Sequence, residues 1–421
     1  MKEFKLKFAK NKLSFNLSEK NYITTLEANE VDVDLINEEE VKRGLNNPIG
    51  TKKLSNIVNK GETVVIVTSD ITRPMPSKLV LPKIIKELKK GGIEERDIKI
   101  VLALGSHRKH TEAEKIYLVG EKIFKSEIKV IDSDVNSCVR LGMCTFGTPV
   151  DIFKPVAEAD RVICLGNIEF HYFAGYSGGI KAIMPGVSSW EAIQANHSNM
   201  VEAEAYAGNY ETNPVRLDID EVANFFKVDF ILNVVLDEKK NIVKAVAGDV
   251  IKAHREGCKI IDKLYGVRVK EKVDIVVVSP GGFPKDLNLY QAQKAIDNSS
   301  HALKDSGIMV LVASAKERFG EKTFEDWMLN KTPDEMIISI RKDFKLGGHK
   351  AAAIAGILKK NKIFLISELD DKLVRQIGFY PFNTVQCAID EAIREKGENA
   401  KVIIIPAGGS ILPIVYEEKY I

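Results

Sequence analysis

The chain has 421 residues, 45% of them hydrophobic and 29% charged, which is the usual balance for a soluble globular protein of two or three domains. The 61 lysine and arginine residues nearly equal the 59 aspartate and glutamate residues, which argues against nucleic acid or an anionic membrane as a partner. No apolar run reaches the ~20 residues that span a bilayer, no signal-peptide pattern is present, and the five cysteines lack CxxC spacing. We therefore expect a protein of the reducing cytoplasm, without disulfide bonds or a structural zinc site.

The first half of the chain reads as a parallel sheet with connecting helices. Residues 1–60 suggest strands and a short helix without visible site chemistry. The runs that follow are rich in β-branched residues, as expected for strands covered on both faces. They predict strands over Thr63–Thr68, Ile98–Leu104, Ile128–Ile131 and Arg161–Leu165, and then a hairpin over Phe230–Val246.

A second series of strands begins after the charged stretch Arg268–Lys272, where we place a domain boundary. Its predicted strands are Val273–Val278, Ile308–Val312, Ile363–Ile366 and Val402–Ile405. The pattern predicts an α/β protein with mostly parallel sheets in two domains, residues 1–267 and 273–410. We expect residues 411–421 to pack back on the first domain and an active-site cleft to lie between the domains.

Polar side chains follow three of the predicted strands in the first domain. Asp70 and Arg73 follow one strand, His107 and Arg108 the next, and the loop with His171 another. Because the carboxyl ends of parallel strands meet at one edge of a sheet, we expect these groups to form one site. Each group alone has a structural explanation, such as a helix cap, a polar strand end or an aromatic core. Their convergence favours a site.

The segment Gly166–Met200 is the richest in chemical groups. Its glycines allow a close backbone approach to a ligand, and Lys181 is either a phosphate ligand or a desolvated amine able to act as a nucleophile. Ser188 and Glu191 have capping-box spacing, which predicts a helix with His197 two turns inside it. A helical histidine is more often a surface residue, but a neutral imidazole could bind a metal there. The chain lacks both the GxGxxG and Walker motifs.

In the second domain, the stretch Asp286–Ile296 (DLNLYQAQKAI) predicts a helix with Asp286 as its N-cap. Tyr290, Gln291 and Lys294 can share one face of it. Composition alone favours a solvated helix face, but the helix start follows a strand end, where an anion such as a carboxylate could bind. The two candidate histidines at the strand ends of the first domain, acting on opposite sides of one substrate carbon, would suit an epimerase or a racemase.

Four segments together resemble the nickel-dependent lactate racemase family over nearly the whole chain. They are SDITRP (Ser69–Pro74), GSHR (Gly105–Arg108), the stretch Asn167–Met200 and LYQAQKA (Leu289–Ala295). The resemblance implies interconversion of D- and L-lactate by transient hydride transfer from C2 to a nickel-pincer nucleotide, a pyridinium-3,5-bisthiocarboxylate mononucleotide made by separate maturation enzymes.

The resemblance also implies roles for individual residues. Lys181 would bind the nucleotide covalently, His197 would ligate the nickel, and His107 and His171 would be the acid/base pair. The implied nucleotide contacts are Asp70, Ile71, Thr72 and Arg73. The implied substrate contacts are Tyr290, Gln291 and Lys294. Two alternatives stay open: racemisation or epimerisation of another 2-hydroxy acid, such as malate or a sugar acid, and a non-catalytic protein that binds an anion or nickel.

Overall fold

The computed structural model describes residues 1–30 and 34–416, and the chain divides into two compact α/β units. One unit is formed by residues 31–261, and the other by residues 1–30 with 262–421. No helix in the described part of the chain combines the length and the apolar character needed to cross a membrane.

The strands and helices are numbered in chain order. The first ten strands are β1 (Lys2–Phe8), β2 (Asn11–Leu17), β3 (Tyr22–Thr25), β4 (Val64–Ser69), β5 (Ile98–Ala103), β6 (Lys129–Asp132), β7 (Cys138–Met143), β8 (Pro149–Phe153), β9 (Arg161–Asn167) and β10 (Phe170–His171). They are followed by β11 (Gly175–Tyr176), β12 (Phe230–Leu236), β13 (Ile242–Gly248), β14 (Gly266–Val269), β15 (Val273–Val278), β16 (Leu303–Val312), β17 (Lys362–Ile366), β18 (Tyr380–Pro381), β19 (Val402–Ile405) and β20 (Leu412–Val415).

The first seven helices are α1 (Asn37–Asn46), α2 (Ser77–Lys90), α3 (Glu112–Val119), α4 (Glu121–Phe124), α5 (Lys154–Ala157), α6 (Trp190–Ser198) and α7 (Pro214–Glu221). The others are α8 (Lys252–Tyr265), α9 (Leu289–Ser300), α10 (Lys322–Asn330), α11 (Pro333–Lys342), α12 (Gly348–Leu358), α13 (Asp371–Gln376) and α14 (Val385–Lys396). The predicted α/β class and the mostly parallel sheets are confirmed.

The unit of residues 31–261 is built on a sheet with the strand order β13-β12-β9-β4-β5-β6. All neighbouring pairs are parallel except the edge strand β13, which forms the predicted hairpin with β12. The chain moves outward from β4 in both directions, first through β5 and β6 and later through β9 and β12. The carboxyl end of β4 is therefore the topological switch point of the sheet, where ligands bind in folds of this kind.

The apolar pattern of the sequence explains how this sheet is covered. In β4, Val64 to Val67 are all buried, because the two faces of the strand both contact other elements. On one face, Ile66 belongs to the same core cluster as Val80, Ile84 and Leu88. These three residues recur every four positions along α2, so one stripe of the helix packs into the core.

The other unit has a sheet of six parallel strands in the order β18-β17-β16-β15-β19-β3. The residues that form this unit differ from those of the predicted second domain. Residues 1–30 belong to this unit, because β3 extends the sheet beside β19 and the β1–β2 hairpin buries Leu6 and Phe15 in the core with Ile275. The terminal strand β20 pairs with β14 of the same unit, and residues 417–421 lie outside the described part.

The predicted cap of α9 is wrong. Asn288 caps this helix by accepting the backbone N–H of Gln291 at 3.0 Å. The Asp286 carboxylate instead accepts the N–H of Ala9 at 2.6 Å and that of Ser314 at 3.3 Å. The aspartate is used to hold the N-terminal hairpin, whose sequence position is remote from the helix.

Candidate functional site

The carboxyl ends of β4 and β5 bring Asp70 and His107 into direct contact. Asp70 is 3% exposed, and its Oδ2 atom lies 2.7 Å from Nδ1 of His107. The Thr72 hydroxyl donates to Asp70 Oδ1 at 2.9 Å. Because an ionised carboxylate can only accept hydrogen bonds, Nδ1 of His107 carries the proton and Nε2 carries the lone pair. The histidine is thus held in the tautomer of a general base at Nε2.

The charge state of Asp70 follows from opposing effects on its pKa. Burial alone would raise the pKa of this carboxyl, but the hydrogen bonds from His107 and Thr72 and the nearby charge of Arg73 bring it below its ordinary value. Asp70 is therefore ionised at neutral pH and can stabilise a protonated His107. Arg73 itself is exposed, and the predicted neighbour Arg108 forms an exposed ion pair with Glu114 at 2.6 Å.

The glycine-rich segment after β9 is folded into a tight cradle. β10 and β11 pair in antiparallel fashion, and a 3₁₀ turn over Gly179–Ala182 follows. The N–H of Gly179 donates to Oδ1 of Asn233 at 2.7 Å, and its φ is +64°. A Cβ atom at this position would lie 2.8 Å from the ring of His254. Only glycine satisfies both the backbone conformation and the close packing.

Lys181 projects from this turn, and the pKa of its amine is unusual. Burial, followed by the charges of Arg73 and Arg216, lowers the pKa of Lys181 to about 7. Its Nζ atom lies 5.9 Å from the centroid of the Phe173 ring. The neutral form of this amine is therefore far more accessible at neutral pH than that of an ordinary lysine. Of the two roles open from the sequence, this supports the nucleophile rather than a permanently charged phosphate ligand.

Phe173 links three of the predicted site residues. Its ring is 3% exposed and makes edge contacts with His171 at 4.5 Å and His197 at 4.9 Å between centroids, in addition to its contact with Lys181. The backbone N–H of Ala174 donates to Nδ1 of His171 at 3.3 Å. That contact assigns the His171 proton to Nε2, the opposite placement from His107.

His197 is buried, unlike most histidines on helices. It is 6% exposed near the end of α6, and its Nδ1 lies 2.9 Å from Oδ1 of Asn196. The side-chain N–H₂ of Asn196 donates to Asp218 at 2.8 Å and to the carbonyl of Val215 at 3.1 Å, which fixes the amide orientation. Nδ1 of His197 therefore donates, and Nε2 has the lone pair that a metal ligand requires.

The start of α6 differs from the sequence prediction by one residue. Ser189 caps the helix by accepting the N–H of Ala192 at 3.1 Å. Ser188 is buried and its hydroxyl donates to the carbonyl of Ile183 at 2.9 Å, which ties the helix start to the turn after Lys181.

Tyr290, Gln291 and Lys294 lie together on the first two turns of α9 in the other unit. Gln291 is exposed, and the other two are partly buried. Lys350 of α12 donates to the carbonyl oxygen of Tyr290 at 2.8 Å, and its ammonium lies 3.9 Å from the centroid of the Tyr290 ring. The helix and this cation hold the tyrosine in place.

Several residues that contact predicted site residues or the glycine-rich segment were not identified from the sequence. They are His110, Phe173, Asn196, Asn233 and His254. The first three are close in sequence to predicted site residues, so their proximity was a usable signal. Asn233 and His254 come from β12 and α8, and only the fold brings them beneath the glycine-rich segment.

A buried Asp–His pair and a lysine of lowered pKa near the switch point of a parallel sheet are typical of small-molecule enzymes of the α/β class. Residues 8–208 match the lactate racemase N-terminal domain, and residues 268–413 match the lactate racemase C-terminal domain. The chain belongs to the lactate racemase family and is therefore an isomerase.

Named relatives span almost the entire chain. A lactate racemase of Thermoanaerobacterium thermosaccharolyticum is 34% identical, covering 98% of this chain and 99% of the relative. A lactate racemase of Lactiplantibacillus plantarum is 32% identical, covering 97% and 98%.

Solved structures agree with the fold. The lactate racemase apoprotein from T. thermosaccharolyticum superposes with a TM-score of 0.88 and 31% identity, covering 98% of this chain and 100% of that one. A protein from Thermotoga maritima superposes with a TM-score of 0.65 at 17% identity, covering 90% and 98%, which shows the shared fold alone.

Proposed function

We propose that this protein interconverts the two enantiomers of lactate, using a nickel-pincer nucleotide attached to Lys181. The two named relatives are lactate racemases that match nearly the whole chain. The observation that carries the proposal is that Phe173 contacts His171, His197 and Lys181, while Asp70 holds Nδ1 of His107. A racemase needs one group to take a proton and another to give one.

The residues of the cradle fit such a cofactor. The neutral amine of Lys181 can form an amide-type bond, and the lone pair of His197 Nε2 suits a soft or borderline metal such as nickel. Asn233, which is 1% exposed, keeps a buried Nδ2 donor that has no hydrogen-bond partner in the described part of the chain. The segment from Asp70 to Arg73 would lie against the nucleotide, with the Arg73 guanidinium suited to its phosphate.

When bound, the cofactor supplies an acceptor for the hydride on C2 of the substrate, which avoids removing a very weakly acidic C–H as a proton. The protein has the simpler task of moving the hydroxyl proton. His107 takes that proton at Nε2 from one enantiomer, and Asp70 stabilises the resulting imidazolium. His171 would give a proton from Nε2 to the substrate oxygen when the other enantiomer is formed. It would do so as an imidazolium, because a neutral imidazole is too weak an acid, and the 3.3 Å contact of its Nδ1 with the Ala174 N–H would have to open. Lys294 and Gln291 would bind the carboxylate, with Tyr290 beside it.

The substrate is tested by supplying cofactor-loaded protein with a single enantiomer of lactate and separating the products on a chiral column. We expect both enantiomers to reach equal amounts from either side. Malate and a sugar acid are the comparison substrates. No conversion of lactate by protein that carries the cofactor would overturn the proposed substrate.

The type of reaction is tested with lactate that carries deuterium on C2. Hydride transfer to and from one cofactor retains the deuterium in the product, whereas removal of a proton exchanges it with water. Intact-protein mass spectrometry tests the attachment separately. We expect an adduct of mononucleotide size on protein produced with the maturation enzymes and its loss in Lys181→Ala.

A further inference from the structure

His110 lies three residues after His107 and makes an unusual contact. Its side chain is 1% exposed, and its Nε2 accepts the backbone N–H of Ile71 at 3.1 Å. Ile71 is the residue between Asp70 and Thr72, whose side chains organise His107. His110 thus holds the backbone of the segment that orients His107.

The protonation state of His110 is defined by its second ring nitrogen. Nδ1 lies 2.6 Å from Oδ1 of Asp132, and Oδ2 of that carboxylate pairs with Lys115 at 3.0 Å. The backbone N–H of His110 also points to Asp132 Oδ2, at 3.3 Å. An ionised carboxylate accepts, so Nδ1 carries the proton and leaves Nε2 as the acceptor for Ile71. The neutral imidazole is the form that satisfies both partners.

These contacts join the carboxyl ends of three adjacent strands. Asp132 ends β6, His110 follows β5, and Ile71 follows β4. The hydrogen bonds from Asp132 through His110 to Ile71 therefore cross the carboxyl end of β5, which also precedes His107. A displacement of Ile71 would move Asp70, and with it the hydrogen bond that fixes the tautomer of His107.

We propose that His110 is a positioning residue of the racemase, which holds the Ile71 amide through Nε2 so that Asp70 keeps His107 in its base form. The proposal rests on the proposed function for the role of His107, but the contact with Ile71 can be tested without it. His110 does not touch substrate, so its loss should lower kcat and change KM little.

The first test uses the chain without cofactor. Imidazole ¹⁵N spectra should show His110 with its proton on Nδ1. Amide exchange at Ile71 should be slow, and roughly tenfold faster in His110→Phe, since the aromatic ring keeps the volume and removes the acceptor. His110→Gln retains a side-chain oxygen that can accept this N–H, so we expect the exchange rate to stay near that of the original protein. Lys109→Gln, a change at an exposed side chain in the same loop, is the matched control.

The second test measures racemisation by the loaded variants. We expect kcat to fall by about 10–100-fold in His110→Phe, with partial rescue in His110→Gln, because a small misplacement of a catalytic group costs rate rather than binding. His107→Ala is measured alongside. If it remains active, the assigned base is wrong, and the exchange rate at Ile71 still decides whether His110 holds that amide.

Three results would overturn the positioning role. The first is unchanged exchange at Ile71 in His110→Phe, and the second is a proton on Nε2 of His110 in the original protein. A normal kcat in His110→Phe together with fast exchange would also overturn it, because the loop would then be released without consequence for the reaction. If His110→Phe does not fold, His110→Leu, which also lacks a side-chain acceptor for the Ile71 N–H, takes its place with the same expected results.

Discussion

Two histidines of the site, His107 and His197, carry the proton on Nδ1, and His171 carries it on Nε2, because different partners face their Nδ1 atoms. A carboxylate faces Nδ1 of His107, a backbone N–H faces that of His171, and an amide oxygen faces that of His197. The neighbour of Nδ1 therefore decides whether Nε2 offers a lone pair, as the proposed base and metal ligand require, or a proton. At the scale of single residues, the neighbour decides the role as much as the residue type does.

The importance of one such neighbour can be tested with Asp70→Asn. An asparagine can donate its N–H₂ to Nδ1 of His107 and so favour a proton on Nε2, where a base is needed. We expect kcat to fall by about 10²–10⁴-fold with the fold retained. Asp97→Asn, at the opposite end of β5, should keep normal activity. An unchanged kcat in Asp70→Asn would show that this tautomer does not matter.

Asp70 should also make stability depend on pH. Its pKa is lower in the folded chain than in the unfolded one, so the unfolded state binds more protons as the solution becomes acidic. The stabilisation is present above the ordinary aspartate pKa of about 3.9 and is lost as the pH falls through the lower folded value. Urea unfolding of the original protein and Asp70→Asn should therefore differ at pH 7 and converge in acid. A constant difference would contradict this.

Lys181 offers a direct test of the electrostatics of the cradle. With a pKa of about 7, its amine should react with an acylating reagent at a rate that rises around pH 7 and then levels off. N-acetyl-lysine methylamide, with an ordinary pKa of about 10.4, is the control and should still be gaining reactivity well above that pH. Peptide mass spectrometry of cofactor-free protein between pH 5 and 9 measures both rates. A profile for Lys181 like that of the control would contradict the lowered pKa.

At the scale of elements, the convergence of the strand ends was predictable and the side-chain partners were not. β-branched runs identified β4, β5 and β9, and the parallel-sheet rule then placed Asp70, His107 and the Lys181 loop at one edge. The cap of α6 was misplaced because two serines stand side by side and only the backbone geometry distinguishes them. His110 is close to His107 in sequence, but its contact with Ile71 was not predictable, because the sheet and not sequence spacing brings the two together.

The glycine-rich segment can be tested with a pair of alanine substitutions that separate backbone strain from crowding. Gly61 and Gly179 both have positive φ, but a Cβ at Gly61 meets nothing within 4 Å, whereas one at Gly179 lies 2.8 Å from the ring of His254. We expect Gly61→Ala to cost about 1–2 kcal/mol from the left-handed backbone alone. Gly179→Ala should cost roughly a further 1–3 kcal/mol from overpacking.

The measurements for this pair are denaturant unfolding and the acylation rate of Lys181. Gly179→Ala should also change the Lys181 rate, because the turn that carries the lysine must shift away from His254. Equal losses in the two variants, with the same Lys181 rate, would show that the packing beneath the turn is not important.

At the scale of the whole molecule, the sequence predicted the number of units but not the membership of residues 1–30. A short amphipathic hairpin can complete any sheet with an open edge or face, and its sequence does not say which one. The decisive contacts are between residues far apart in the chain, such as the Ala9 N–H with the Asp286 carboxylate and β3 with β19. Single-sequence patterns report local periodicity and carry little information about such pairings.

The assignment of the N-terminal hairpin can be tested with two phenylalanines in different cores. Phe15 packs with Ile275 and Val277, and Phe230 belongs to the core of residues 31–261. Each change to alanine removes a buried ring and should cost roughly 3–5 kcal/mol within its own unit. Hydrogen exchange should therefore increase mainly in β15, β16 and β19 for Phe15→Ala, and mainly in β4, β9 and β12 for Phe230→Ala. If Phe15→Ala instead accelerated exchange chiefly in β4, β9 and β12, the hairpin would belong with residues 31–261.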